Sequence, residues 1–169
     1  YTGFLNNADG FDGTNWDYCG YFWHSQMPIL RSGAPGSFSY SATGSGAITY
    51  VNLISAMAFA NWLWTSDVRS GAYDPLPISS GGCNIGATTR DAGSSFWVPS
   101  LAEYDAAVGS SSLGEWTDTH TGSANYWVTD GTIDQALTWY NEYFNVTFRV
   151  AHAIGDADAD GVDDSVDNC

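Results

Sequence analysis

Apolar positions along the chain change period several times, and each change marks an element. Tyr1, Phe4 and Leu5 stand at i, i+3 and i+4, the spacing of one helix face, and Gly10 supplies a stop. Residues 1 to 9 therefore read as the end of a helix, and a preceding part of the fold is expected. From 50 to 65 no Gly or Pro interrupts a stripe of Val51, Ile54, Ala58 and Trp62, with Leu53, Met57 and Phe59 beside it. This predicts the central core helix. Phe96-Trp97-Val98 reads as a short buried strand. After Pro99, Ser100-Leu101-Ala102-Glu103 is a capping box, in which hydroxyl and carboxylate satisfy each other's backbone amides, and the helix runs through Tyr104 and Val108 to Gly109.

Elsewhere the pattern alternates over short runs broken by turn residues. Residues 10 to 49 read as loop and short strand, with Phe38-Ser39-Tyr40 ended by the Thr43-Gly44-Ser45-Gly46 cluster. Residues 66 to 95 return to loop. From Trp116 the pattern is strand and turn: 126 to 128, 136 to 140, then 146 to 150. Two main helices among short strands, expected to pair antiparallel, indicate an α+β fold rather than a parallel βαβ one. At Gly155 the aromatics stop, so residues 1–154 form the globular domain and 155–169 an appendage.

Charge changes the picture sharply. Four basic residues, all Arg, face nineteen acidic ones over 169 residues, a net charge of −15. Without lysine there is no Walker-type phosphate loop and no Schiff-base chemistry. Four Arg cannot neutralise a nucleic-acid backbone against nineteen carboxylates, so no nucleic-acid partner is expected, and the same holds for an anionic membrane surface. With aromatics at 15% the charge does not mean disorder. No apolar run is long enough to insert in a bilayer.

The appendage holds the strongest chemical pattern. Asp156, Asp158 and Asp160 alternate before Gly161, followed by Val162, Asp164 and Asp167. Hard Ca²⁺ takes six to eight oxygens, and alternating carboxylates in a tight loop converge on one point. Gly161 permits the turn, Val162 offers its carbonyl, Asp164 binds directly or through water, and Asp167 falls at position twelve of the loop. The alternative is a solvated acidic linker, in which these carboxylates repel one another.

Other candidates are weaker. Cys19 and Cys83 are expected to form a disulfide in an oxidising compartment, adding on the order of 4 kcal/mol by loop entropy, with two buried free thiols as the alternative. Asn145-Val146-Thr147 is the only glycosylation sequon, with an unmodified Asn145 as the alternative. His24, His120 and His152 are isolated and read as local hydrogen-bonding residues. No Gly-x-Ser-x-Gly elbow is present. Glu103, Glu115 and Glu142 could serve a glycosidase only if the fold brought two together.

Several segments carry a resemblance. Ile48-Thr49-Tyr50-Val51-Asn52 with Ala58-Phe59-Ala60-Asn61-Trp62-Leu63, then Phe96 to Tyr104, then Phe148-Arg149-Val150-Ala151, resemble in order the formylglycine-generating enzyme (sulfatase-modifying factor) family, and Tyr1 to Asn7 resembles the end of its first helix. The resemblance implies a C-type-lectin-like α+β fold with much irregular loop. It brings no catalytic residue, because the cysteine pair and the R-G-G-S-W segment of the catalytic members are missing. The sugar-reading E-P-N, Q-P-D and W-N-D motifs of C-type lectins proper are missing too. The tail, ending Asp-Asn-Cys, resembles a thrombospondin type 3 repeat, which implies that Cys169 bonds a partner outside this chain.

Together these imply a non-catalytic bacterial module, extracellular or on the cell surface, structural or adhesive, self-associating into a filament or array through a calcium-stabilised linker. The alternatives are a carbohydrate- or protein-binding module, with a glycan as partner, and a formylglycine-generating oxidase.

Overall fold

The computed structural model describes residues 1–7, 23–34, 37–74, 76, 88–108, 110–121, 125–131, 134–138 and 146–153. In chain order these form α1 (Thr2–Asn7), β1 (Ile29–Ser32), β2 (Ser39–Ala42), α2 (Leu53–Thr65), β3 (Phe96–Trp97), α3 (Leu101–Ala107), β4 (Gly114–His120), β5 (Asn125–Thr129), β6 (Asp134–Thr138), β7 (Val146–Phe148) and β8 (Ala151–His152). The class is α+β, as the sequence predicts.

Helix α2 is the core helix. It starts two residues later than the apolar stripe, because Asn52 takes the N-cap and its side chain accepts from the Ser55 amide at 2.9 Å. Tyr50, just before it, is left-handed at φ 61°, and Val51 is fully buried ahead of the first turn. The helix closes on Ser66, itself left-handed at φ 63°, whose amide donates to the Trp62 carbonyl. Leu53, Ile54, Met57, Ala58 and Ala60 are buried, and so are Ser55 and Asn61. A helix buried on nearly every side draws its stability from packing, each large side chain contributing about 1.5–3 kcal/mol.

Asn61 ties the following loop to that helix. Its amide group donates to the carbonyls of Val68 (3.3 Å) and Tyr73 (3.0 Å), and its oxygen accepts from the Tyr73 amide (2.9 Å). Gly71 sits against it at φ 152°, where a Cβ would come within 2.9 Å of the Asn61 Cα. Tyr73 is thereby held fully buried.

The strands form three small sheets; those of β3 and β4 pack against α2, and β2 packs against α1. β1 and β2 form an antiparallel hairpin, in which the Arg31 guanidinium lies over Trp23 at 3.9 Å and over Phe38 at 4.2 Å. β3 pairs antiparallel with β8, Phe96 opposite His152 and Trp97 opposite Ala151. The largest sheet has the order β6-β5-β4-β7. The expectation of antiparallel strands needs correction here, because β7 lies parallel to β4, with Gly114 opposite Val146. The physical reason is topological. β5 is antiparallel to both β4 and β6, so β6 runs as β4 does, and β7 enters on the far edge of β4 in that same direction. No hairpin can make that connection.

β4 and β5 change register between Trp116, opposite Val128, and His120, opposite Tyr126, so β4 carries extra residues there. Such an irregularity bends the strand and re-aims its side chains. Here it turns residues 118 and 119 toward the start of α3: the Asp118 amide donates to the Pro99 carbonyl (3.0 Å), and the Thr119 hydroxyl accepts from the Leu101 amide (2.9 Å). Trp116 points the other way, fully buried, its indole donating to the Val51 carbonyl at 2.8 Å.

The capping box of α3 forms as the sequence predicts, with the Glu103 amide donating to Ser100 Oγ (3.3 Å) and the Ser100 amide to Glu103 Oε2 (2.7 Å). The helix gives way at Val108. The first helix is present over Thr2–Asn7, where Phe4 packs with Tyr1, Phe59 and Trp62. Phe96 and Trp97, expected to be buried, are only half-buried among the described residues, where β3 has the short β8 as its one partner strand; Val98 is the buried residue of that segment. No helix among the described residues is long and apolar enough to cross a membrane.

Candidate functional site

The sequence-predicted calcium ligands Asp156, Asp158, Asp160, Val162, Asp164 and Asp167 lie outside the described residues, as do Cys19, Cys83, Cys169, Asn145 and Glu142. The histidines are scattered. His24 stacks on Tyr50 (5.0 Å between ring centres), His120 meets Tyr126 edge-on, and His152 lies near Phe96 with Nδ1 at 2.8 Å from the Ala153 carbonyl. Among the described residues no three His, Cys, Asp or Glu converge as metal ligands.

What the fold does assemble is a charged cluster around Arg90. Its Nη1 donates to Glu103 Oε2 at 2.9 Å and lies 4.0 Å from Asp118 Oδ2. Tyr73 enters from the loop after α2, its hydroxyl 3.3 Å from Asp118 Oδ2 and accepting from the Val98 amide at 3.0 Å. Five separate segments thus meet: the stretch before β3 that carries Arg90, the loop held by Asn61, Val98 just after β3, the first turn of α3, and the bulged part of β4.

The two carboxylates titrate apart. Burial pushes Glu103 up, but hydrogen bonds from Arg90 and from the Ser100 amide and hydroxyl outweigh it and hold the carboxyl at about 2. Asp118 is pushed up to about 6, chiefly by burial, with Glu103 adding to the effect and Arg90 opposing it. Burial first, and Asp118 second, raise the Tyr73 phenol well above its ordinary value, and the same two causes carry Tyr126 to about 12.

A second ion pair lies nearby. Glu115, buried on β4, accepts from Arg149 Nε at 2.6 Å and Nη2 at 3.0 Å, a bidentate pair, while Arg149 is half exposed. The Glu115 carboxylate adds to the burial that raises the Tyr104 phenol. So the two described glutamates with aromatic neighbours serve as a helix cap and a buried ion-pair partner.

Trp97 lines two clefts. One, of about 300 Å³, is bounded by Arg90, Asp91, Ala92, Ser94 and Ala153; Arg90 lies over the indole at 4.9 Å. The other, of about 240 Å³, is mostly apolar, bounded by Pro99, Tyr104, Val108 and Val150, with Glu103 and Arg149 also lining it. The Trp97 indole N–H is buried without a hydrogen-bond partner among the described residues. Sequence reasoning found Trp97 and Glu103 only as strand and cap, and missed Arg90, Asp91 and Asp118. The available signal was the scarcity of cations: in a chain of four Arg, two of them, Arg90 and Arg149, mark places where carboxylates gather.

No protein-family model, no curated protein and no solved structure matches the chain.

Proposed function

We propose that this chain is a non-catalytic, secreted structural or adhesive module: a C-type-lectin-like α+β domain followed by a calcium-binding repeat, tied to its neighbours outside a bacterial cell. The observation that carries the reading is the carboxylate spacing of Asp156, Asp158, Asp160, Asp164 and Asp167 around Gly161, which suits a Ca²⁺ loop and makes a metal-free tail self-repelling. Two features of the fold support it. The segments that resemble the formylglycine-generating enzyme family meet in one body: Phe96-Trp97 pairs with Ala151-His152, and Tyr1 packs on Phe59 and Phe148. The charged residues around Arg90 and Arg149 are bound to one another, an arrangement that fixes loops.

In this reading Cys19 and Cys83 form a disulfide, Cys169 bonds a neighbouring repeat, Asn145 is open to glycosylation, and copies associate through bridging cations. Calorimetric titration of the full chain with Ca²⁺ tests the central claim. Saturable heat that vanishes in the double variant Asp158→Ala/Asp167→Ala is the expected result, and an unchanged heat would sink the site. Incubation with a cysteine-containing sulfatase peptide should leave that peptide unmodified.

A second reading, a carbohydrate- or protein-binding module, is favoured by one observation, the half-buried Trp97 between two clefts.

A further inference from the structure

We propose that the cleft bounded by Arg90, Asp91, Ser94 and Trp97 binds one neutral saccharide unit, with Trp97 offering apolar contact and the guanidinium and the Asp91 carboxylate meeting ring hydroxyls. This rests on the second reading above, a carbohydrate-binding module, and it stands apart from the calcium tail.

Size is the first constraint. A volume of about 300 Å³ lies at the lower limit for small-molecule pockets, so the occupant is a single small unit rather than an extended ligand. Chemistry is the second. The walls combine an indole, which gives apolar area, with one strong donor and two acceptors, the mixture that a ring with C–H faces and hydroxyl edges requires. Among the described residues Arg90 spends only Nη1 on its carboxylates. Asp91 commits Oδ1 to the Gly93 amide at 2.8 Å, and Oδ2 has no described partner.

Electrostatics then selects among polar ligands. Arg90 is already compensated by Glu103 at 2.9 Å and Asp118 at 4.0 Å, and Asp91 adds a third carboxylate. The cleft therefore carries no surplus positive charge for a phosphate or carboxylate. Fixed, compensated charges still donate and accept strong hydrogen bonds, so a neutral hydroxylated ligand gains from them without having to neutralise them.

The wall is rigid in advance of binding. The Asp91 amide donates to the Ala72 carbonyl (2.8 Å), the Ser94 amide and hydroxyl both donate to the Asp91 carbonyl, and the Ala153 amide donates to the Ser95 carbonyl (3.0 Å). A turn pinned at both ends loses little freedom when a ligand arrives.

The test uses the full chain and four neutral probes, the methyl glycosides of glucose, galactose, mannose and N-acetylglucosamine, with glucuronate as the charged comparison. Tryptophan fluorescence and saturation-transfer NMR read the binding. At least one glycoside should bind saturably, with Kd near about 1 mM, equally well in calcium and in chelator. Asp91→Ala should weaken it about tenfold, and Asp91→Asn, which keeps an acceptor for Gly93, should weaken it less while leaving the fold intact. Arg69→Gln, on another loop, should leave it unchanged. Four results would overturn the assignment: no glycoside binding at tens of millimolar, about; binding that survives both Asp91→Ala and Arg90→Gln; glucuronate binding more tightly than every neutral sugar; or binding lost in chelator, which would move the sugar onto a calcium ion.

Discussion

At the scale of single residues, Asn61 and Asp118 carry the sharpest expectations. Asn61 makes three hydrogen bonds from a fully buried position. Asn61→Leu should therefore lower stability by about 2–4 kcal/mol, measured by urea denaturation, because three backbone groups of residues 68 and 73 lose their partner. Asp118 acts between about pH 4 and 6. Its folded value of about 6 lies above the ordinary carboxylate value of 3.8, so the folded state holds this proton more tightly than the unfolded one. The stability it gives is complete below pH 3.8, falls as pH rises through about 6, and amounts to at most about 3 kcal/mol. Glu103 has the opposite sign: held at about 2, it contributes stability above pH 4.5 that is lost as pH falls toward 2. Both contributions are near their full value together only around pH 4. Asp118→Asn should flatten the decline between pH 4 and 6 and make the protein more stable at neutral pH; thermal melts across that range are the check. Little of this was legible in the sequence. Asp118 is one acid among nineteen, and what sets it apart is a register shift in β4 and a tyrosine from a distant loop.

At the scale of elements, local signals were read well and pairings poorly. The core helix, the capping box of α3 and the strand at 126 to 128 follow from periodicity and caps, which are properties of neighbours in sequence. The start of α2 was set by Asn52, a cap the apolar stripe conceals. The hairpin strand β1 and the two-residue β8 gave too few alternating positions to declare themselves. The parallel placement of β7 depends on which edge of a sheet is free, and no local pattern encodes that. The caps make testable units. Ser100→Ala should cost about 1 kcal/mol through loss of the N-cap. Glu103→Ala should cost more than Ser100→Ala in the same melts, because it also strips Arg90 of its nearest carboxylate. In the double variant Arg90→Ala/Glu103→Ala the two losses should fall short of additivity, since the residues share one interaction.

At the scale of the whole molecule, the proposed calcium loop and the −15 charge bear on each other. Chelation should leave the far-ultraviolet spectrum of the globular part nearly unchanged while dissolving any assembly seen by light scattering in calcium, and raised salt without calcium should fail to restore it. The β3–β8 and β4–β7 pairings have a separate consequence, for the order in which the chain is made. Both join earlier strands to the last described stretch, residues 146 to 153. Until that stretch leaves the ribosome, Phe96 and Trp97 have no strand to pair with and β4 has an open edge. These contacts span long sequence separations, so they close slowly, and an open edge is a template for the wrong chain. A nascent or C-terminally truncated chain would thus expose β4 and the Phe96-Trp97 strand where the finished one pairs them, and a cell producing it in quantity would have reason to keep it shielded until residue 153 has been made.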